Sequence, residues 1–126
     1  MRKPTTEEIA LLNRHCCSAL NDVTRIAILY ELGEGPQNVG SLVDALDLPQ
    51  ATVSRHLMLL RDREIVTATR DGNRMVYELT DDCILDILDS MRAVLAKKLR
   101  QQQETAGRIR SAQGRKKRGG SSGRRA

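Results

Sequence analysis

Apolar positions recur at helical spacing in several segments of the chain, beginning with residues 7–18. There Ile9, Leu12 and Cys16 fall on one face of a predicted first helix. The run VTRIAILYEL comes next and has the same spacing. Asp22 precedes it and is predicted to be its N-cap, because a carboxylate can accept the unpaired amide protons of a first helical turn. The N-terminal third of the chain is therefore predicted to form two consecutive helices.

Two more apolar runs, GSLVDALDL and QATVSRHLMLLRD, are joined by only a few residues. Asn38 or Ser41 is predicted to cap the first of these helices, and Pro49 falls near the start of the second. The strand-like runs IVTATR and RMVYELT follow and meet at Asp71-Gly72-Asn73, a hairpin signal. Helix, tight turn, helix and hairpin in this order predict a mainly α fold with a small β-hairpin wing, the winged helix-turn-helix.

The last apolar pattern predicts a long helix that begins after Asp81 or Asp82. Its apolar residues form one wide stripe: Ile84, Leu85, Ile87, Leu88, Met91, Val94, Leu95 and Leu99. Such a face is too wide for one small domain to cover. A partner subunit is the expected way to remove it from water.

Composition excludes several classes of protein. The only aromatic residues are Tyr30 and Tyr77, which favours packed helices over a β-sandwich. The sequence has no run of eighteen apolar residues, which a membrane-spanning helix would need, so we expect a cytoplasmic protein without membrane contact. The sequence has two histidines, and its polar residues do not provide a nucleophile next to a general base. It also lacks a glycine-rich loop that could bind a phosphate. An enzyme is not expected.

Basic charge is concentrated at the C-terminal end of the chain. Residues 1–99 carry 12 Lys/Arg and 15 Asp/Glu, whereas residues 100–126 carry 9 and 1. The stretch from Gly107 is rich in Gly, Ser and Arg and has no apolar periodicity, so residues 107–126 are predicted to be a disordered basic tail behind a domain of residues 1–106. Such a tail could simply solubilise the protein, or it could add phosphate contacts to a nucleic acid.

The fourth predicted helix has the chemistry of a DNA-reading helix. If Val53, Leu57 and Leu60 face the core, polar side chains near its N-terminus point outward. With two arginines of the hairpin they form the predicted DNA-binding set: Gln50, Thr52, Ser54, Arg55, His56, Arg70 and Arg74. The plainer interpretation of the helix residues is an ordinary solvated face. The order of turn, helix and wing favours DNA.

Several motifs together resemble the ArsR/SmtB family of bacterial repressors over about residues 7–99. They are ALNDVTRIAILYEL, LPQATVSRHLMLLRDREIV and RDGNRMVYEL. Val23 departs from the pattern, since the family commonly has Pro there, and this affects only the geometry of the helix start. The resemblance implies a homodimer, formed mainly by the first and last helices, that binds a palindromic double-stranded DNA operator and leaves it when an inducer binds.

The three cysteines, Cys16, Cys17 and Cys83, are the candidate inducer ligands. In a reducing compartment they are expected to be free thiols, metal ligands or redox switches rather than structural disulfides. The family's third-helix metal site needs cysteines that NVGSLVDALDL lacks, and its last-helix zinc site needs histidines that the final helix lacks. What remains is the adjacent pair in the first helix and Cys83 at the start of the last.

Three thiolates suit As(III) or Sb(III), and sulfur-rich sites also attract Cd(II), Pb(II) or Cu(I). No obligatory cofactor is expected. Adjacent cysteines on a helix splay by about 100°, so Cys16 and Cys17 could hold one large ion only if the helix relaxed. That strain suggests a mechanism, in which ion binding shifts the first helix against the last and changes the spacing of the two DNA-reading helices.

Other interpretations of the cysteines stay open. A zinc site could add His15 to the three thiols. A thiol redox or persulfide sensor would pair Cys83 with Cys16 or Cys17. The thiols could also be inert apolar residues. A further hypothesis is a nucleic-acid-binding module without any sensing role, in which the RKKR tail supplies most of the affinity.

Overall fold

The computed structural model describes residues 2–125, with side chains through residue 114. The elements are α1 (Thr6–Leu12), a π-helical turn (Asn13–Cys17), α2 (Val23–Leu32), β1 (Gln37–Asn38), α3 (Val39–Leu46), α4 (Gln50–Asp62), β2 (Val66–Asp71), β3 (Arg74–Leu79) and α5 (Cys83–Arg125). The predicted mainly α winged helix-turn-helix is confirmed.

Side-chain hydrogen bonds mark the starts of α2, α3 and α5, whereas α4 begins after Pro49 without such a bond. The Oδ1 atom of Asp22 accepts hydrogen bonds from the amides of Thr24 at 2.8 Å and Arg25 at 3.1 Å, as predicted for the start of α2. Asn38 caps α3 through the amide of Ser41 at 2.9 Å. Asp81 accepts the amide of Cys83 at 2.8 Å, which fixes the first turn of α5. These contacts satisfy amides that have no partner inside the helix.

The wing is a three-stranded antiparallel sheet with strand order β1-β3-β2. The predicted hairpin of β2 and β3 is confirmed, with Asp71 opposite Arg74 and Gly72 in the left-handed region at φ 63°. Sequence analysis missed β1. It has only two residues, Gln37 and Asn38, which are too few to show an alternating pattern.

The core lies where α2, α3, α4 and β2 meet. Fully buried apolar side chains come from all four elements: Ile28, Leu29, Leu42, Val53, Leu57, Leu60 and Val66. The turn between α3 and α4 depends on Asp47, which adopts a left-handed conformation at φ 53° and donates its amide to the carbonyl of Val43 at 2.8 Å. This turn and the shared core fix the orientation of α4.

The chain forms two compact units, residues 1–86 and 87–126. The first unit contains the winged helix-turn-helix. In the second, α5 carries the apolar stripe that the sequence predicted, and five of its residues have about half of their surface exposed: Ile87, Met91, Val94, Leu95 and Leu99. No described helix has the length and apolar character needed to cross a membrane.

The predicted boundary between residues 106 and 107 is not marked by a break in secondary structure, because α5 runs through it to Arg125. The division into a domain of residues 1–106 and a disordered tail stays a prediction. The side chains of residues 115–126, which hold most of the predicted basic tail, lie outside those that the structure describes.

Candidate nucleic-acid interface and thiol segment

The recognition helix, α4, separates core and solvent faces as the sequence predicts. Val53, Leu57 and Leu60 are fully buried. Gln50 and Arg55 are exposed, and two smaller polar residues between them, Thr52 and Ser54, are half-buried. Because the core holds one side of α4, its N-terminal polar residues lie on an accessible edge of the first unit.

The wing supplies the two other predicted DNA contacts. Arg70 and Arg74 are both exposed, near the tip of the hairpin. An open groove of about 520 Å³ lies between α3 and the wing, and its lining includes Gln50, Arg74, Asn73 and Ser41. The N-terminus of α4 and the tip of the wing therefore border the same groove, whose lining also includes the carboxylate of Asp44.

His56 differs from the other predicted contacts, since it does not point outward. Its side chain is only 14% exposed. The ring lies 3.3 Å from the guanidinium of Arg25, measured from Nδ1 to Nη1, and 3.9 Å from the Oδ1 atom of Asp22, measured from Nε2. The expectation of an outward-facing histidine is wrong, because its ring is held against the start of α2.

Two apolar residues on the exposed side of α4 were not among the predicted contacts. Ala51 is exposed, and Met58 is 65% exposed although it is large and apolar. Both share the face of Ser54 and Arg55 at helical spacing. Their helical spacing was visible in the sequence, and apolar side chains can contact thymine methyl groups in a major groove.

The cysteine pair lies in a π-helical turn rather than in a regular α-helix. The amide of Ser18 donates to the carbonyl of Asn13 at 2.8 Å, which is an i to i+5 bond. The predicted single helix over residues 7–18 is therefore interrupted after Leu12. A π turn is wider than an α turn and is frequent at functional sites. The wider turn changes the backbone around Cys16 and Cys17, and ion binding by this pair stays a prediction.

All three cysteines are free and exposed. Hydrogen bonding to the Asp81 side chain raises the pKa of the Cys83 thiol, and the negative charges of Asp81, Asp86 and Asp82 raise it further. The same contact, together with the Cys83 amide, lowers the pKa of Asp81. Since the thiolate is the reactive form, Cys83 is a poor attacking thiol at neutral pH.

Within one chain, the described side chains include no group of three or more His, Cys, Asp or Glu residues placed to hold a metal ion. Cys16, Cys17 and Cys83 are thus not preassembled as a three-sulfur site in a single protomer. The predicted ligand set stays a prediction. It would require either a second protomer or a movement of the π-helical turn.

A buried helix-turn-helix core, an exposed recognition helix and a hairpin wing define the winged-helix class of transcriptional regulators. The chain matches the family described as bacterial regulatory protein, arsR family, over residues 22–68. It is 38% identical over 85 residues to the HTH-type transcriptional repressor SmtB of Mycobacterium tuberculosis, a match that covers 68% of this chain and 63% of SmtB.

It is also 32% identical over 75 residues to the arsenical resistance operon repressor of Staphylococcus aureus, covering 60% of this chain and 72% of that protein. The crystal structure of AntR, an antimony-specific transcriptional repressor, superposes with a TM-score of 0.69 at 27% identity, covering 79% of this chain and 90% of AntR. The chain belongs to the arsR family. The resemblance seen in its motifs is confirmed. The chain spans less than two thirds of the length of SmtB, and the relatives named here are transcriptional regulators.

Proposed function

We propose that this arsR-family chain is a repressor that binds a palindromic operator as a homodimer, and that a thiophilic ion, with As(III) the first candidate, releases it. The observation that carries the DNA-binding part is the polar N-terminal edge of α4 beside the arginines of the wing. Gln50 and Arg55 have the side chains that pair with adenine and guanine edges, while Arg70 and Arg74 suit phosphate.

The homodimer is supported by apolar surface that the chain leaves exposed on two helices. Ile9, Leu11 and Leu12 of α1 are each about half exposed, as are the five stripe residues of α5. Exposed apolar residues that follow one another along a helix face are typical of a protein interface. A twofold dimer would also present two recognition helices to two half-sites, as a palindrome requires.

The inducer proposal rests on the cysteines and on the relatives. Two thiols lie side by side in a wide helical turn, and the third lies at the start of α5. One relative is named for arsenical resistance and a structural neighbour for antimony specificity. Soft thiolate ligands match the chemistry of both elements.

The test is fluorescence anisotropy of a labelled DNA fragment from upstream of the protein's own gene, with reduced protein and increasing arsenite. We expect release near stoichiometric arsenite in the parent protein and none in Cys16→Ser/Cys17→Ser. His15→Gln serves as a matched control, because it changes a neighbouring side chain without removing a thiol. It also tests the zinc alternative, which needs the imidazole.

Other outcomes point to the alternatives. A complex indifferent to arsenite but released by persulfide or oxidant would support the thiol redox sensor. A complex that responds to none of them would support a non-sensing DNA-binding module. If removal of residues 107–126 abolished sequence preference as well as affinity, the recognition helix would not be the specificity determinant.

Arg55→Ala should lower affinity for the preferred site by about 1–3 kcal/mol and relax discrimination at one base pair.

A further inference from the structure

Arg25 joins three parts of the first unit through one side chain. Its Nε atom donates to the carbonyl of Ala19 at 2.7 Å, and its Nη2 atom donates to the carbonyl of Ser18 at 3.3 Å. Its Nη1 atom lies 3.3 Å from Nδ1 of His56, and 4.0 Å from Oδ2 of Asp22. The side chain is only 12% exposed, so these contacts are shielded from competing water.

The contact with His56 defines the state of the imidazole. A guanidinium has donors only, so a hydrogen bond at this contact requires the tautomer of His56 in which Nδ1 is the acceptor and Nε2 carries the proton. That N–H faces Oδ1 of Asp22 at 3.9 Å. His56 lies in the middle of the recognition helix, between the buried Val53 and Leu57. The ring therefore attaches α4 to the start of α2 at a point between core contacts.

The two carbonyls that Arg25 caps directly follow the cysteine pair. The amide of Leu20 donates to the carbonyls of both Cys16 and Cys17 at 3.2 Å, so residues 16–20 form one hydrogen-bonded segment. A rearrangement of the π-helical turn would displace the Ser18 and Ala19 carbonyls. Because the guanidinium is planar and rigid, its donors cannot follow them independently.

We propose that Arg25 is a positioning residue that transmits a change at Cys16 and Cys17 to the recognition helix through His56. This inference rests on the proposed function, because it concerns how an event at the thiols reaches the DNA-binding surface. A purely structural Arg25 would stabilise the fold but would leave His56 unaffected by modification of the cysteines.

The first experiment needs no DNA and no inducer. The Cys83→Ser protein, labelled with ¹⁵N-histidine, is treated with iodoacetamide until mass spectrometry shows adducts at Cys16 and Cys17, which are both exposed. The chain has two histidines, and His15→Gln assigns their ring signals. His15, next to Cys16, should shift and report the modification. We expect the His56 ring nitrogens to shift as well.

The same reaction on Arg25→Lys provides the comparison. Lysine keeps the positive charge near Asp22 but cannot donate to both carbonyls and the imidazole in one plane. We expect the His15 signals to shift as before and those of His56 to stay unchanged. A His56 signal that stays unchanged in the Cys83→Ser protein while His15 shifts would overturn the proposal, and this arm holds even if Arg25→Lys fails to fold.

The second experiment measures operator binding before and after the alkylation. We expect modification to weaken binding about tenfold with Arg25 present and to change it by less than about twofold in Arg25→Lys. His56→Gln should keep the response, because its amide oxygen can accept from Nη1, whereas His56→Leu should lose it. An equal response in Arg25→Lys or in His56→Leu would contradict the coupling. Absence of sequence-specific binding in the unmodified parent protein would refute the proposed function, while the His56 signals still decide the inference.

Discussion

Leu95 on the apolar stripe of α5 provides a direct test of the proposed homodimer. Its side chain is 54% exposed, and four other residues of the stripe, Ile87, Met91, Val94 and Leu99, range from 48% to 57%. Complete burial of a large aliphatic side chain stabilises by about 1.5–3 kcal/mol, so the half that is still exposed represents about 1 kcal/mol. Each twofold-symmetric contact counts twice, which gives about 2 kcal/mol for Leu95 in a dimer.

The five half-exposed residues of the stripe would then contribute about 10 kcal/mol to dimer formation, and the three exposed residues of α1 would add about 6 kcal/mol. Association itself costs about 4–15 kcal/mol, so the stripe alone is marginal and every position counts. Leu95→Ala should therefore raise the dimer dissociation constant about 30-fold. Leu95→Glu should have a larger effect, because it also places two carboxylates in an apolar interface.

Sedimentation velocity over a concentration series gives the dissociation constants, and circular dichroism shows whether each variant is folded. Ala93→Glu is the matched control. It adds the same charge to α5 but lies about 160° around the helix from Leu95. We expect Ala93→Glu to stay dimeric and Leu95→Glu to be a folded monomer. A folded Leu95→Glu protein with the parent dissociation constant would refute the assignment of the stripe to the dimer interface.

Three further predictions concern single side chains. Asp81→Asn replaces the carboxylate beside the Cys83 thiol with a neutral and weaker acceptor, which reduces both the hydrogen bond and the charge that raise the pKa of that thiol. Alkylation of Cys83 near pH 8, followed by mass spectrometry, should become roughly severalfold faster. An unchanged rate would contradict the assigned causes. Asp47 has a φ of 53°, which favours glycine over alanine. In urea titrations, Asp47→Ala should therefore lower the free energy of unfolding by about 1 kcal/mol, whereas Asp47→Gly should be neutral or stabilising. Equal losses of stability in both variants would exclude backbone strain as the cause. The hydrogen bond from the Arg25 amide is the main cause of the lowered pKa of Asp22. The stability that the ionised Asp22 provides is therefore present above the ordinary carboxyl pKa and is lost as pH falls below about 4. Asp22→Asn should flatten this part of the curve of melting temperature against pH.

Elements with a strong local signal were predictable from the sequence. The bounds of α2 and α4 follow from apolar periodicity, and the wing follows from Asp71-Gly72-Asn73, where Gly72 has the positive φ that the turn needs. The two-residue strand β1 was not predictable, because it exists through pairing with β3 and not through its own pattern. A helix or strand can be predicted when its own side chains follow a helical or strand period. A strand that forms only by pairing with another strand cannot.

His56 shows where the site prediction failed although the information was present. At about 100° per residue, His56 lies about 60° from Val53 around α4, on the edge of the buried face and away from Arg55. Its residue type suggested a base or phosphate contact, whereas its helical position indicated an intramolecular one. The partner could not be identified from the sequence, since Arg25 is 31 residues away and reaches His56 only after α2 and α4 pack together.

The cysteine pair is a different case, in which the sequence shows two adjacent thiols but not the backbone conformation around them. The spacing of Ile9, Leu12 and Cys16 is compatible with a continuous α-helix, and nothing in NRHCC forbids one. The i to i+5 bond from Asn13 to Ser18 widens the turn at the two thiols, and Arg25 then holds the carbonyls of residues 18 and 19 that follow them. Under the proposed function, this irregular turn and the arginine that reaches α4 would connect an event at the thiols to the DNA-binding surface.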